Sequence, residues 1–198
     1  MRHMVITIGC EYGSGGPEIG KAIAENLGIE YYDRDLVDQV VEQLGVERDL
    51  VEKADTENYV RYSFETNYGR RYANLTNRVI YTQFEVVQKF AEQSSCVIIG
   101  RCSDYILKER DDVLNIFIYA PEEIRVKAVM EQKRVSEKKA REEIKANDEM
   151  MHTRYKYMTG TYRGDRRNRH MLIDSSVLGW AKTTDYIMQM IDLRFEEK

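Results

Sequence analysis

The sequence predicts an α/β protein built on an open, doubly wound parallel sheet of five strands. Short, continuous apolar runs alternate with segments of helical periodicity, the pattern of parallel strands covered by helices on both faces. The first run passes directly into a glycine-dense turn and then into an amphipathic helix. With 198 residues, two prolines and no repeat or low-complexity tract, we expect one domain over residues 1–198.

The five strands are predicted where apolar runs are bounded by turn residues. They cover residues 4–9, 29–32, 96–100, 113–120 and 171–174. Helical spacing of apolar residues predicts helices between and after the strands. These cover residues 18–27, 35–44, 75–92, 122–152 with a break near Val135, and 185–195. Gly28 and Pro121 stand where a helix end and a helix start favour these residue types.

The first strand-to-helix turn is a candidate phosphate-binding loop. It contains Gly13, Ser14, Gly15 and Gly16. Such a turn leaves backbone N–H groups unpaired at a helix start, where the helix dipole favours negative charge. A purely structural turn is the alternative, but it needs fewer than three glycines in four positions. We expect these four residues to bind the phosphates of a nucleotide.

The lysine of this loop has two alternative positions. Gly15, Gly20 and Lys21 match the P-loop pattern G-x-x-x-x-G-K-[ST], but Ala22 replaces the hydroxyl residue that holds a metal ion. Lys21 then lies five or six residues into the helix, about 8–9 Å from the loop at about 1.5 Å per residue. In the other register the lysine position falls on Gly16, and the lysine is missing.

Charged residues follow the second and third predicted strands. Ligands of open α/β sheets bind beyond the carboxyl ends of the strands, where Asp33, Arg101 and Asp104 stand. Asp33 can accept a hydrogen bond from a base or sugar hydroxyl, and Arg101 can hold a phosphate or carboxylate with two parallel bonds. The structural alternatives are a helix cap for Asp33 and an ion pair for Arg101.

Composition limits the partners. A formal net charge of −4 argues against a general nucleic-acid binder. The basic residues are crowded in one segment, which is either a phosphate-gripping rim or a solvated basic turn: Arg163, Arg166, Arg167 and Arg169. His152 and His170 have no partner at metal-ligand spacing, so we expect no protein-ligated metal.

The three cysteines form no C-x-x-C pair, which suits a reducing compartment. No apolar run approaches the roughly 20 residues of a membrane span, and no signal peptide precedes Met4. We therefore expect a cytoplasmic protein that does not bind membranes. An aromatic group is interpreted as packing or a homodimer surface, with nucleobase stacking as the alternative. It comprises Tyr59, Tyr62, Phe64, Tyr68, Tyr72, Tyr81 and Phe84.

Three segments carry motifs that occur together in one family. They read EYGSGGPEIGKAIAENLGIEYYDRDLV, CVIIGRCSDYILK and EEIKANDEMMHTRYKYMTG, in that order. They resemble the cytidylate kinase-like family, a branch of the P-loop nucleoside monophosphate kinases. The resemblance implies a three-layer P-loop kinase fold, ATP on the glycine loop, Mg²⁺ between the phosphates and a small-molecule phosphate acceptor. It also implies a helical insert over the acceptor at about 52–94 and an arginine-bearing lid at about 133–169.

By matching positions, the glycine loop takes the donor phosphates, and Asp33 and Arg101 face the acceptor. Arg134 and residues 148–154 belong to the lid. The chain departs from the family where Asp148 is followed by Glu149, Met150 and Met151 instead of the pattern Asp-Lys-x-Arg, and where Pro17 replaces the usual arginine. Arg154 lies about one helical turn after Met151 and is the candidate substitute.

Two functions remain open from the sequence. One is a kinase that transfers the γ-phosphoryl group of ATP to a nucleoside monophosphate or another small acceptor. The other is a nucleotide-binding protein without turnover that acts as a sensor or interaction partner. The kinase needs cations at the phosphates, for which the candidates are Lys21, Arg101, Arg134 and Arg154, whereas the binder needs only backbone amides.

Overall fold

The computed structural model describes residues 3–33, 35–49, 51 and 67–196. Part of the predicted insert, including Tyr59, Tyr62 and Phe64, lies outside the described residues. Tyr81, which belongs to the same aromatic group, is 70% exposed. The boundaries of the insert and of the lid stay predictions.

The five predicted strands are all present and form one parallel sheet. They are β1 (Val5–Cys10), β2 (Glu30–Tyr32), β3 (Cys96–Ile99), β4 (Val113–Tyr119) and β5 (Met171–Asp174). Their order across the sheet is β2-β3-β1-β4-β5, and every neighbouring pair is parallel. The α/β class with a five-stranded parallel sheet is therefore confirmed. All five carboxyl ends lie at one edge of the sheet, the edge where ligands bind.

The helices are α1 (Gly16–Leu27), α2 (Asp35–Leu44), α3 (Asn67–Gln93), α4 (Ser103–Ile106), α5 (Glu122–Lys133), α6 (Glu137–Thr159) and α7 (Ser175–Phe195). A short 3₁₀ turn, Arg166–Asn168, precedes β5. The predicted break near Val135 is the turn between α5 and α6, where Arg134 has a left-handed φ of 55° and Ser136 caps α6.

Helix α1 begins two residues before its predicted start, at Gly16, and two other helix starts differ by eight residues or more. Helix α3 begins at Asn67 instead of 75, because residues 67–74 lack the apolar repeat by which a helix is recognised. Helix α7 begins at Ser175 instead of 185, and Gly179, with φ 73° and ψ 163°, breaks its helical course. The Asp174 carboxylate caps this early start by accepting from the Ser176 amide at 2.9 Å.

The sheet is the middle of three layers. On one face, apolar residues of β1, β4 and β3 pack against α1 and α7, with Ile8, Ile23, Ile116 and Ile187 among the buried residues. On the other face, strand residues such as Ile98 pack against α2 and α3. The two-sided burial explains why the strands read as solid apolar runs.

A third, smaller cluster joins the two lid helices. It contains Val126 and Val129 of α5 and Ala140 and Ile144 of α6, with Tyr12 of the glycine loop packed against it. The α5–α6 hairpin is thus fastened to the loop by a shared apolar contact. Within the described part of the chain, no helix has the length and apolar character that a membrane crossing requires.

Candidate functional site

The glycine loop has the geometry of an anion site. Gly13 and Gly15 adopt left-handed φ values of 81° and 86°, and α1 begins at Gly16. The amides of these three glycines have no hydrogen-bond partner among the described residues. Alternating left-handed residues at a helix start direct such amides toward one point, so the loop fits the phosphates of a nucleotide.

The Ser14 hydroxyl is committed to the fold. It donates to the carbonyl oxygens of Glu11 at 2.8 Å and Ile118 at 3.2 Å, and Ser14 is fully buried. Its carbonyl oxygen accepts from the Ser175 hydroxyl at 2.7 Å, which ties the loop to the start of α7. The Ser14 amide also donates to the Glu11 carbonyl at 3.2 Å, so Ser14 shapes the loop and the neighbouring glycines supply the amides for a ligand.

The space around the loop explains the glycines. A Cβ atom on Gly13 would lie 2.9 Å from a Val129 methyl group, and one on Gly15 would collide with the Trp180 indole ring. A Cβ atom on Gly16 would collide with the Cys10 side chain. The loop is thus enclosed by α5, α7 and the end of β1, and glycine is needed for both space and backbone conformation.

Neither lysine register puts an ammonium group on the loop in this structure. Position 16 has no room for a side chain while Cys10 keeps its place. Lys21 is 66% exposed on α1, with its Nζ atom 3.9 Å from Glu25. Arg134 is also exposed, at the end of α5, and lines neither of the two cavities described below.

The lid reaches the glycine loop through Asp148 of α6. Its carboxylate accepts from the Tyr12 amide at 3.0 Å and from Nη1 of Arg125 at 2.6 Å. Arg125 also donates from Nε to the Ala120 carbonyl at 3.0 Å, and its Nε lies 3.3 Å from Glu11. Two carboxylates and one buried guanidinium therefore join the lid, the loop and the end of β4.

A cavity of about 110 Å³ lies at the carboxyl edge of the sheet, beside the start of the glycine loop. Its backbone wall is formed by the ends of β1 and β3, at Gly9, Cys10 and Ile99. Six charged residues line it: Asp33, Arg101, Asp104, Arg154, Arg163 and Arg169. The structure thus brings Asp33, Arg101, Asp104 and Arg154 together, as strand-end reasoning and the resemblance suggested.

The turn after β3 presents Arg101 to this cavity. Gly100, Arg101 and Cys102 have consecutive positive φ values of 63°, 55° and 54°. Left-handed backbone is costly for a side-chain-bearing residue and concentrates at functional sites. Burial, followed by the charge of Arg154, lowers the pKa of Arg101 to about 10, so the group stays charged at neutral pH.

Arg169 and Asp104 form a buried ion pair in the same cavity. The Tyr155 hydroxyl donates to the same Asp104 oxygen at 2.5 Å, and burial together with Asp104 raises the pKa of Tyr155. The Arg169 guanidinium also lies over the rings of Phe117 and Tyr155, at 5.4 and 5.6 Å. Arg154 donates to the Gln83 side chain of α3.

Arg163 and Arg169 are the site residues that sequence reasoning left undecided. They were grouped with Arg166 and Arg167 as one basic segment, yet those two are exposed while Arg163 and Arg169 are turned into the cavity. A six-residue spacing on irregular backbone carries no periodic signal. The two buried arginines are distinguished from the two exposed ones only in the folded chain, where this segment passes over the sheet before β5.

A larger cavity of about 960 Å³ lies between α6 and the ends of β4 and β5. Glu11, Phe117, Tyr119, Asp148, Arg163 and Leu172 are among the residues lining it. Its volume is within the range of ligand pockets, and it borders the glycine loop at Glu11. Arg163 lines both cavities and so stands between them.

The loop fits ATP better than it fits Mg²⁺. Pro17 and Ala22 carry no hydroxyl, and the two carboxylates next to the loop, Glu11 and Asp148, are both paired with Arg125. Mg²⁺ commonly binds through phosphates and waters with one or two carboxylates. The residues around the loop therefore provide no ligand set of their own for Mg²⁺ in the described part of the chain.

Solved structures share the fold. An uncharacterized protein from Eubacterium ventriosum is 26% identical, with a TM-score of 0.74 over 96% of this chain and 99% of that one. The shikimate kinase from Acinetobacter baumannii, in complex with shikimate, is 16% identical, with a TM-score of 0.52 over 98% and 96%. The shikimate kinase from Bacteroides thetaiotaomicron is 10% identical, with a TM-score of 0.56 over 96% and 98%.

These likenesses confirm a P-loop kinase fold. Comparison with curated proteins gives no match. The model of the cytidylate kinase-like family matches residues 5–177, which include the glycine loop, the turn after β3 and the whole α5–α6 hairpin. Family and fold together indicate a kinase-type phosphotransferase. The chain belongs to the cytidylate kinase-like family.

Proposed function

We propose that this protein is an ATP-dependent kinase that phosphorylates a nucleoside monophosphate of the cytidylate type. The observation that supports this most directly is the cavity beside the glycine loop, where four guanidinium groups converge with two carboxylates. Guanidinium groups in a buried cavity select an anionic ligand. A monophosphate acceptor provides that anion next to the donor phosphates.

The reaction needs positioning and positive charge more than covalent chemistry. An acceptor phosphate oxygen forms a bond to the γ-phosphorus of ATP while the bond to the β–γ bridging oxygen breaks, and ADP leaves. Charge spreads over the three equatorial oxygens of the transferred group, so fixed cations lower the barrier. Arg101 and Arg154 are the proposed catalytic cations, and Asp33 and Asp104 the proposed acceptor-side carboxylates.

One observation favours the alternative of nucleotide binding without turnover. Position 16 excludes a lysine, Lys21 is solvent-exposed, and Glu149, Met150 and Met151 supply no lid cation. An arginine that stabilises the transferred group is worth about 10³–10⁵ in rate. Backbone amides alone hold phosphates without that contribution.

A coupled ADP-release assay against the common ribonucleoside and deoxyribonucleoside monophosphates, with shikimate added to the panel, tests the proposal. The same protein is followed by thermal unfolding with ATP and Mg²⁺. Product with a pyrimidine monophosphate, lowered at least 100-fold by Arg154→Ala, is the expected result. Stabilisation by ATP with no product across the panel would favour the binder. Unchanged turnover in Arg154→Ala would remove that residue from the mechanism.

A further inference from the structure

The segment between α6 and β5 brings two arginines to the end of β1. Its turns use left-handed Gly160 and Gly164, with φ values of 71° and 80°. Gly164 lies against the Phe117 ring, where an added Cβ atom would be 3.2 Å from two ring carbons. The segment is therefore seated on the sheet, and Arg163 and Arg169 extend from it into the charged cavity.

Arg169 is held in place from several sides. Its side chain is 1% exposed and is paired with Asp104, which Tyr155 orients. Its Nη2 atom would lie 3.5 Å from a Cβ atom on Gly9, at van der Waals contact distance, so the guanidinium lies beside the end of β1. The buried Nε donor has no hydrogen-bond partner among the described residues. Buried donors are seldom left unsatisfied, and an acceptor on a ligand would complete this one.

Arg163 stands where the two cavities meet. Its side chain is 15% exposed, and Nη2 donates to the carbonyl oxygen of Cys10, the last residue of β1 and three residues before Gly13. Its Nη1 lies 3.8 Å from Asp148, which Arg125 holds more closely at 2.6 Å. The Arg163 guanidinium is thus positioned between the donor loop and the charged cavity, where it can contact a ligand that occupies either space.

We propose that Arg163 and Arg169 bind the phosphate group of the acceptor, in place of the lid cations missing at residues 149–151. This inference rests on the proposed function. Four guanidinium groups and two carboxylates line the cavity, and a phosphate supplies the missing negative charge. Burial and the charge of Arg154 lower the pKa of Arg101, and a phosphate in the cavity would counteract the repulsion between these two guanidinium groups.

The test measures binding separately from turnover. Inorganic phosphate and CMP are titrated by calorimetry into wild type, Arg169→Gln, Arg169→Lys and Arg163→Gln. Arg166→Gln is the matched control, because Arg166 belongs to the same segment and is exposed. We expect Kd for phosphate and CMP to rise about tenfold or more in Arg169→Gln and Arg163→Gln, and less than about twofold in Arg166→Gln.

Arg169→Lys keeps the charge and the partner Asp104 but loses the fork of donors, so an intermediate loss of affinity is expected. It and the less buried Arg163→Gln carry the test if Arg169→Gln does not fold. ATP binding should change less than about twofold in every variant, which a general loss of structure would not allow. In turnover, the acceptor KM should rise more than kcat falls.

Unchanged phosphate and CMP affinity in folded Arg169→Lys and Arg163→Gln would overturn the inference, as would wild type that binds neither ligand. Tighter binding of shikimate than of CMP would assign the cavity to a carboxylate and also overturn it. Loss of affinity in the variants of a protein that forms no product would sustain this inference while the proposed function fails. Product formation with an unaltered acceptor KM in the variants would sustain the proposed function while this inference fails.

Discussion

The Cys10 side chain occupies the space into which a side chain at Gly16 would extend. The two residues lie on opposite sides of the glycine loop, one at the end of β1 and the other at the start of α1. A residue larger than glycine at position 16 therefore requires a smaller residue at position 10. Position 16 thus has no room for a lysine while position 10 carries a cysteine.

Gly16→Lys should reduce the free energy of unfolding by about 1–3 kcal/mol, because the new side chain overpacks against Cys10. Adding Cys10→Gly should restore part of this loss and tighten ATP binding, since the lysine then has room beside the phosphates. Urea unfolding and calorimetric titration with ATP measure both effects. Asn26→Lys, exposed on the same helix, is the control and should change stability by less than about 0.5 kcal/mol. A Gly16→Lys protein as stable as wild type would contradict the prediction.

Asp104→Ala should destabilise the protein by about 3–5 kcal/mol, because it leaves the Arg169 guanidinium buried without its counter-charge. Tyr155→Phe removes one hydrogen bond to the same carboxylate and should cost about 1 kcal/mol. Both values come from urea unfolding at neutral pH. Asp185→Ala, an exposed acid on α7, should lie within about 0.5 kcal/mol of wild type. A loss of similar size in Asp104→Ala and Asp185→Ala would show that the pair contributes nothing.

Stability should fall as the pH decreases below the ordinary pKa of histidine, 6.5, in part through His170. Burial of the ring, followed by the charge of Arg194, lowers the pKa of His170. Its Nδ1 accepts from the Asn115 amide at 3.0 Å, which requires the unprotonated nitrogen. The unfolded chain therefore binds a proton first, so this contribution is complete above pH 6.5 and is lost as the pH falls through the lowered pKa.

The measurement compares urea midpoints at about pH 7.5 and about pH 5 for wild type and His170→Gln. Other groups titrate over this interval in both proteins, so the difference between the two pH dependences isolates His170. The variant should lose less stability than wild type on acidification. Parallel losses would contradict the assignment.

The sequence was most informative where the residues of a site follow one another closely along the chain. Gly13, Gly15 and Gly16 fall within four consecutive positions between a strand and a helix, and their role in the turn follows from the missing Cβ atoms. Arg101 could be placed because a strand end fixes where the next residues lie. Both signals need only a few consecutive residues.

Contacts between residues that are far apart in the sequence could not be predicted. Arg163 reaches the Cys10 carbonyl across more than 150 residues, and Asp148 reaches the Tyr12 amide across more than 130. Arg163 and Arg167 look equivalent in the sequence, but one is turned into a cavity and the other pairs with Asp165 at the surface. Their separation arises from the left-handed turn at Gly164, whose fit against Phe117 is a tertiary contact.

Asp148→Asn should tighten ATP binding about threefold to tenfold at low salt, because the Asp148 carboxylate accepts the Tyr12 amide and places a negative charge beside the phosphate loop. Asparagine keeps the shape of the side chain and an oxygen for the Tyr12 amide, but its NH2 group faces Nη1 of Arg125, so the change removes the charge together with the Arg125 hydrogen bond. Glu149→Gln removes a charge from the next residue of α6, which is exposed, and should change ATP affinity less than about twofold.

Titrations at about 0.02 M and about 0.2 M salt separate electrostatic repulsion from altered loop structure, because screening weakens the former. The gain in Asp148→Asn should shrink at the higher salt concentration. Weaker ATP binding in Asp148→Asn at both concentrations would mean that the carboxylate holds the loop in its binding-competent shape through Arg125. The lid acid would then be a positioning residue for the donor, and not a competitor of its phosphates.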